Sequence, residues 1–240
     1  SILLVVVGFA FKVSAVPFHF WAPDVYQGAP TPVAGYLSTA SKAAGFAVLM
    51  RVLLAVFPGQ TDAWVLLVAV MATASMFLGN LLALAQKNIK RMLAYSTISH
   101  MGFMLLGFIA ADENGYSASM FYVVVYILMT LGTFGMIMLL SREGFEADKL
   151  DDFKGLNRRN PWYAFITLLL MFSMAGVPPT VGIYAKLSVL QAVLSAGYIW
   201  LAEVAGVFSL IRAFFYPRRL KLVYFDEPET HAPLGPERGP

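Results

Sequence analysis

The chain has 240 residues, 59% of them hydrophobic and 13% charged, with a net charge of +3 and a mean hydropathy of +0.70. Soluble domains run at about 25% charged, so a soluble enzyme is excluded and the composition is that of a polytopic membrane protein. The small net charge makes no case for nucleic acid, and the absence of cysteine excludes disulfides, thiolate metal sites and an iron–sulfur cluster held by this chain.

The expected fold is all-α, a polytopic transmembrane bundle of about seven spans. Ser1 already lies inside an apolar run, without Met or a basic leader, and the N-terminal part of a longer protein is expected to be missing. The spans fall at about 2–20 (interrupted at Pro17), 33–57 (ended by Pro58-Gly59), 63–85, 92–111, 117–140, 161–196 and 198–216. The first is followed by a linker rich in Pro and Gly that holds His19 and Asp24. A polar loop, 141–160, precedes the sixth, and Pro161 suits a first helical turn. Residues 1–216 are expected to form one transmembrane domain, part of a longer one. Residues 217–240, rich in Pro and charge, are expected as an extramembrane, partly disordered tail.

The sixth run is too long for one straight span. Its roughly 36 residues would make about 54 Å of helix against a hydrocarbon core of about 30 Å. Val177-Pro178-Pro179-Thr180 breaks it. Treating it as one discontinuous helix places Lys87, Lys90, Arg91, Arg142, Lys149, Lys154, Arg158, Arg159, Arg218, Arg219 and Lys221 on one face. The positive-inside rule makes that face cytoplasmic or matrix-side, with Ser1 opposite. The first span carries Lys12 ahead of Ala15-Val16-Pro17, and the sixth carries Ala175-Gly176-Val177-Pro178-Pro179 ahead of Lys186. Two broken helices running in opposite directions are a signature of inverted-repeat transporters.

Three lysines, Lys12, Lys42 and Lys186, stand inside apolar runs. A lysine at mid-membrane costs roughly 2.5–3.5 kcal/mol on insertion scales. Snorkelling to an interface is the bland account, but Lys12 and Lys42 lie ten or so residues into their spans. Desolvation lowers a lysine's proton affinity, so all three are candidate proton carriers. The breaks at Pro17 and at Pro178-Pro179 free backbone groups that are tolerated only against protein or water, although a simple proline kink would read the same way. His100, in Ser96-Thr97-Ile98-Ser99-His100, is either a proton relay or an interhelical hydrogen-bonder. Lys90 opens a helix within a basic run; its default role is topology, and a path exit is the sharper one. Glu203 pairs with a lysine or faces solvent. No phosphate-binding loop, nucleophile constellation or zinc spacing is present.

The run from Phe11 to Val33, the Lys42 context Ser-Thr-Ala-Ser-Lys-Ala-Ala-Gly-Phe, the segment Asn88 to Phe103 and the segment Phe172 to Lys186 resemble the antiporter-like membrane subunits of respiratory complex I. The resemblance covers about 1–225. It implies a proton-translocating subunit of NADH:quinone oxidoreductase, here a C-terminal portion, built from inverted five-helix repeats. The family's broken-helix lysines fall on Lys12 and Lys186, the lysine of the next helix on Lys42 and the helix-start lysine on Lys90. Its glutamate upstream of the first lysine has no counterpart here. Glu203 and Arg212 stand where the family pattern is apolar or small.

The resemblance further implies no cofactor in this chain, with NADH, FMN, iron–sulfur clusters and quinone held by partner subunits. Its partners would be other membrane subunits and, indirectly, the peripheral redox arm, in a bacterial inner membrane with the basic loops cytoplasmic. Related readings are a subunit of a multisubunit cation/proton antiporter or of a membrane-bound hydrogenase, and, from another class, a structural membrane anchor.

Overall fold

The computed structural model describes residues 2–57, 59–141 and 145–227, with side chains left out at 214–219. Pro58, Arg142 and residues 228–240 lie outside the described residues, as do the side chains of Arg218 and Arg219. Among the described residues the architecture is all-helical. The helices are α1 (Ile2–Val13), α2 (Trp21–Gly28), α3 (Thr31–Ser38), α4 (Ala40–Val56), α5 (Thr61–Leu84), α6 (Ile89–Ile109), α7 (Glu113–Leu140), α8 (Leu156–Arg159), α9 (Pro161–Ala175), α10 (Val181–Ser195) and α11 (Ile199–Tyr224). Among the described residues, four stretches are long and apolar enough to cross a membrane: 31–56, spanning α3 and α4, together with α5, α6 and α7. Three shorter apolar helices, α1, α9 and α10, accompany them. Large apolar side chains such as Leu66, Leu128 and Leu210 cover the outside, the arrangement of an integral membrane protein.

Helix α6 is the axis of the bundle and is almost wholly buried. It packs on α5 most extensively and also on α2, α7 and α10. At Gly79 the α5 backbone lies so close to α6 that an added Cβ would sit 2.6 Å from the Ser99 amide nitrogen, the close approach that small residues allow between membrane helices. Polar caps set the helix starts. Asn88 Oδ1 accepts from the Arg91 amide at 3.0 Å, Asp112 Oδ1 from Gly115 at 2.7 Å, and Asn160 Oδ1 from Trp162 and Tyr163 ahead of α9.

The two helix breaks are real, but they start earlier than the prolines suggest. Helix α1 ends because Ser14 adopts a left-handed conformation (φ 62°). The Ser14 amide then bonds Phe11 O at 3.1 Å and the Ala15 amide bonds Ala10 O at 2.9 Å, the two closures of a Schellman motif. Helix α9 ends in the same way at Gly176 (φ 77°), with Gly176 N to Ser173 O at 3.1 Å and Val177 N to Phe172 O at 3.0 Å. Pro17, Pro178 and Pro179 follow these turns in the non-helical links.

The expected linker after the first break is itself helical. Helix α2 contains Pro23 in its first turn, where a missing N–H costs no intrahelical bond, so Asp24 lies on a helix and not in a loop. At the other end, α11 runs to Tyr224, past the expected end of the last span at 216. Leu220 and Val223 are buried there, and the Leu222 carbonyl accepts from the Gly155 amide at 3.0 Å. Packing against the 150–159 loop carries the helix on.

Candidate functional site

The chain's buried lysines share one chemical environment. Lys42, on α4, donates to Val13 O at 2.9 Å and to Ser14 Oγ at 2.7 Å. Its Nζ lies 5.3 Å from the Trp21 ring centroid and 5.9 Å from that of Tyr26. Lys186, on α10, donates to Ala175 O at 2.5 Å and to Ser209 Oγ at 3.0 Å, with Nζ 5.4 Å from the Phe103 ring. Lys90, on α6, donates to Ala29 O at 2.9 Å. Each ammonium therefore meets a carbonyl at the C-terminal end of another helix: α1, α9 and α2. Those carbonyls lack intrahelical partners, and the helix end carries about half a negative charge, so each site holds a lysine without an acidic partner of equal depth. The other groups released by the breaks are also satisfied: Val16 N donates to Ser75 Oγ at 2.9 Å and Gly182 N to Ser173 Oγ at 3.2 Å.

Polar groups on α3, α6 and α7 lie between the two lysine sites. Ser38 Oγ is 2.9 Å from Tyr126 Oη and 3.4 Å from Thr97 Oγ1, and Thr97 Oγ1 is 3.0 Å from Tyr126 Oη. The His100 ring sits 5.3 Å from the Tyr126 ring, and its Nδ1 is 2.9 Å from Tyr122 Oη. His100 Nε2 is buried with no hydrogen-bond partner among the described residues. Electrostatic coupling reaches His100 from Lys186 and Arg212. The histidine thus lies between the hydroxyl cluster and Lys186, held from one nitrogen and open at the other.

Lys12 does not join this group. It lies on the outer side of α1, with its stem over the position of Gly45 on α4, and no ion pair or hydrogen bond to it is found among the described residues. The sequence symmetry paired Lys12 with Lys186; in the structure it is Lys42 that stands to the first break as Lys186 stands to the second. The reason is geometric: Lys12 belongs to the last turn of the broken helix and points away from its own carbonyls, whereas a lysine from a neighbouring helix can reach them.

Two further participants were missed in the sequence. Arg212, on α11, is buried against α6, where it donates to Ser96 O at 3.1 Å, to Ser96 Oγ and, at the 3.5 Å limit, to Ser99 Oγ. Ser99 Oγ in turn donates to Asn80 Oδ1 at 2.9 Å. Its signal was a lone arginine in an apolar run. Glu146 lies in the loop after α7. It accepts from Lys90 Nζ at 2.9 Å, from the Thr31 amide at 3.0 Å and from Thr31 Oγ1. Burial raises the proton affinity of this carboxyl, but the bonds from Thr31 and Lys90 outweigh it and hold the group below its ordinary range. Beside it, Arg91 pairs with Asp24 at 2.5 Å and donates to Gln27 Oε1 at 3.0 Å. Glu203 faces outward, and His19 is buried in the link between α1 and α2.

Discontinuous helices whose ends meet buried charged side chains are the broken-helix architecture of polytopic membrane proteins of the transporter-fold class. The chain belongs to the NADH:quinone oxidoreductase/Mrp antiporter transmembrane family, whose model matches residues 1–212. It is 63% identical to NADH-quinone oxidoreductase subunit N of Nitrosomonas europaea over 234 residues, covering 98% of this chain and 49% of that protein. The chain thus spans about half the length of the curated relatives it matches. A chain in the structure of respiratory complex I from Thermus thermophilus with bound aureothin is 35% identical, with a TM-score of 0.81 and coverage of 98% of this chain and 51% of that one. A chain of the Mrp complex from Dietzia sp. DQ12-45-1b is 26% identical, with a TM-score of 0.87 over 99% of this chain and 44% of that one.

Proposed function

We propose that this chain is the C-terminal portion of a proton-translocating membrane subunit of NADH:quinone oxidoreductase, of the subunit N type. The observation that carries this reading is the pair of lysines, Lys42 and Lys186, each seated on a helix break, with Ser38, Thr97, Tyr126 and His100 between them. Protons pass laterally through the membrane interior along these groups and the water they hold. A charge on one site changes its neighbour's proton affinity. At about 7 Å and an effective dielectric of 20, this coupling is on the order of 2 kcal/mol, more than one pKa unit. A pulse from the redox arm thus moves a proton onward. The likeness to subunit N proteins supports placing NADH, FMN, iron–sulfur clusters and quinone in partner subunits, and this cysteine-free chain offers no thiolates for a cluster. Lys12, on the outer side of α1, takes part where another segment of the assembled subunit covers it. The membrane is the bacterial inner membrane, with the basic loops cytoplasmic.

Identity to subunit N proteins supports this reading over an antiporter subunit, which shares the fold. The test is proton pumping in vesicles holding the whole complex, with Lys186→Ala and Lys12→Ala compared to wild type and NADH-to-quinone electron transfer recorded alongside. Loss of pumping with normal assembly is the expected result. Wild-type pumping and electron transfer in both variants would leave the anchoring role as the account.

A further inference from the structure

Glu146 and Lys90 form an ion pair that crosses from the surface to the interior: the glutamate side chain is 41% exposed and the lysine 1%. The pair brackets one turn of the chain. Lys90 caps the end of α2 through Ala29 O, while Glu146 caps the start of α3 through the Thr31 amide, where Pro30 has no side chain to do so. Inward from this layer the two helices carry matching polar positions. Lys90 and Thr97 are seven residues apart on α6, and Thr31 and Ser38 are seven apart on α3. Seven residues are two helical turns, about 10 Å along one face. Thr97 and Ser38 meet at Tyr126. Around that inner cluster, Tyr26 Oη neighbours Ser38 and Tyr126, and Thr130 Oγ1 neighbours Tyr126. Both are buried without a hydrogen-bond partner among the described residues. Buried polar atoms of this kind are sites for bridging water.

We infer that Glu146 is the water-facing port of the proton path, exchanging a proton with the aqueous phase on the side of the 141–160 loop and passing it to Lys90 and then toward Ser38, Thr97 and Tyr126. This rests on the proton-translocation reading above. In the exchange, the carboxylate takes a proton from water and becomes a carboxyl. When Lys90 has released its own proton inward, the carboxyl O–H breaks, an N–H forms on the amine, and the carboxylate–ammonium pair is restored. No other reactant is consumed. A carboxyl held below its ordinary range is ionised at neutral pH, so the proton rests on it only in passing.

The test uses the intact complex in membrane vesicles and three variants of the full-length subunit. Glu146→Gln keeps an oxygen for Thr31 but cannot carry a proton; Glu146→Asp keeps the acid; Lys186→Ala reports on the relay itself. The amount of assembled complex is measured for each. The expected result is that Glu146→Gln lowers the pumping rate by about a hundredfold, the low end of what a positioned proton-transfer group supplies, whereas Glu146→Asp retains most of it. Wild-type pumping in Glu146→Gln while Lys186→Ala is inactive overturns the port and leaves the relay standing. Equal losses in the Gln and Asp variants assign Glu146 to holding the loop and likewise overturn it. Wild-type pumping in Lys186→Ala overturns the relay reading on which the port depends.

Discussion

Lys42 and Lys186 hold the same position relative to a helix break. Each donates to the last carbonyl before a left-handed residue, Val13 before Ser14 and Ala175 before Gly176, at 2.9 and 2.5 Å. They come from helices in different places in the chain order, so the equivalence is chemical and not sequential. In both cases a broken helix does what an acidic side chain does elsewhere: it supplies partial negative charge inside a low-dielectric interior, while a neighbouring hydroxyl supplies a second acceptor.

This arrangement makes Gly176 a sensitive position. A Cβ there would sit 2.7 Å from Lys186 Nζ, at a φ of +77°. Gly197 shares a positive φ, +86°, but has nothing within 4 Å of an added Cβ. Alanine at either site carries the left-handed backbone cost of about 1–2 kcal/mol. Gly176→Ala is expected to lose proton pumping as Lys186→Ala does, while Gly197→Ala shows only a lowered melting temperature. Paired pumping and thermal-melt measurements on the two variants separate the effects.

Arg212 brings a permanent cation to α6, since a guanidinium stays protonated in proteins. Replacing it with leucine removes its bonds to Ser96 and Ser99 and the charge that reaches Lys186 and His100. Hydrogen bonds to charged groups are worth about 1.5–3 kcal/mol each, so Arg212→Leu is expected to lower both the melting temperature and the pumping rate. Arg212→Lys is expected to recover part of the pumping and less of the stability, because an ammonium cannot span both serines as a guanidinium does. Pumping and melting curves for the pair of variants check this.

The Glu146 latch should respond to acid. Its carboxyl is held below the ordinary range in the folded protein, so its contribution is present above the unfolded-state value of about 4.3 and is lost as pH falls through the lower folded-state value. The melting temperature of wild type is expected to exceed that of Glu146→Gln from pH 7 to about pH 5, with the gap closing below that. A gap unchanged at strongly acid pH would mean that the carboxylate charge contributes nothing to the latch.

Much of the site could be read from single residues, because charge in an apolar run is conspicuous. Lys42, Lys186 and His100 stood out for that reason, and all three are buried. What could not be read was direction. Lys12 stood out equally, yet it faces out of the described chain, since one turn of helix decides which side a residue takes. Helix α2 was hidden by its prolines, although Pro23 falls in a first turn, where proline does no harm. Glu146 was hidden for the opposite reason: in a polar loop one more acid draws no notice, and only the fold brings it under Thr31 and onto Lys90. The breaks were located to within a few residues, because the prolines that mark them follow the left-handed turns that cause them.

The near-complete burial of α6 has a consequence for biosynthesis. Helices with an outward apolar face gain from lipid as soon as they leave the translocon. α6 carries Lys90, His100 and a row of hydroxyls, gains less from lipid than its neighbours, and finds its stabilising partners only in other helices. The close backbone approach at Gly79 makes α5 its first available partner, joined to it by a short turn. The pair is therefore expected to enter the bilayer as a hairpin, so that the axis of the bundle is stabilised in company rather than alone.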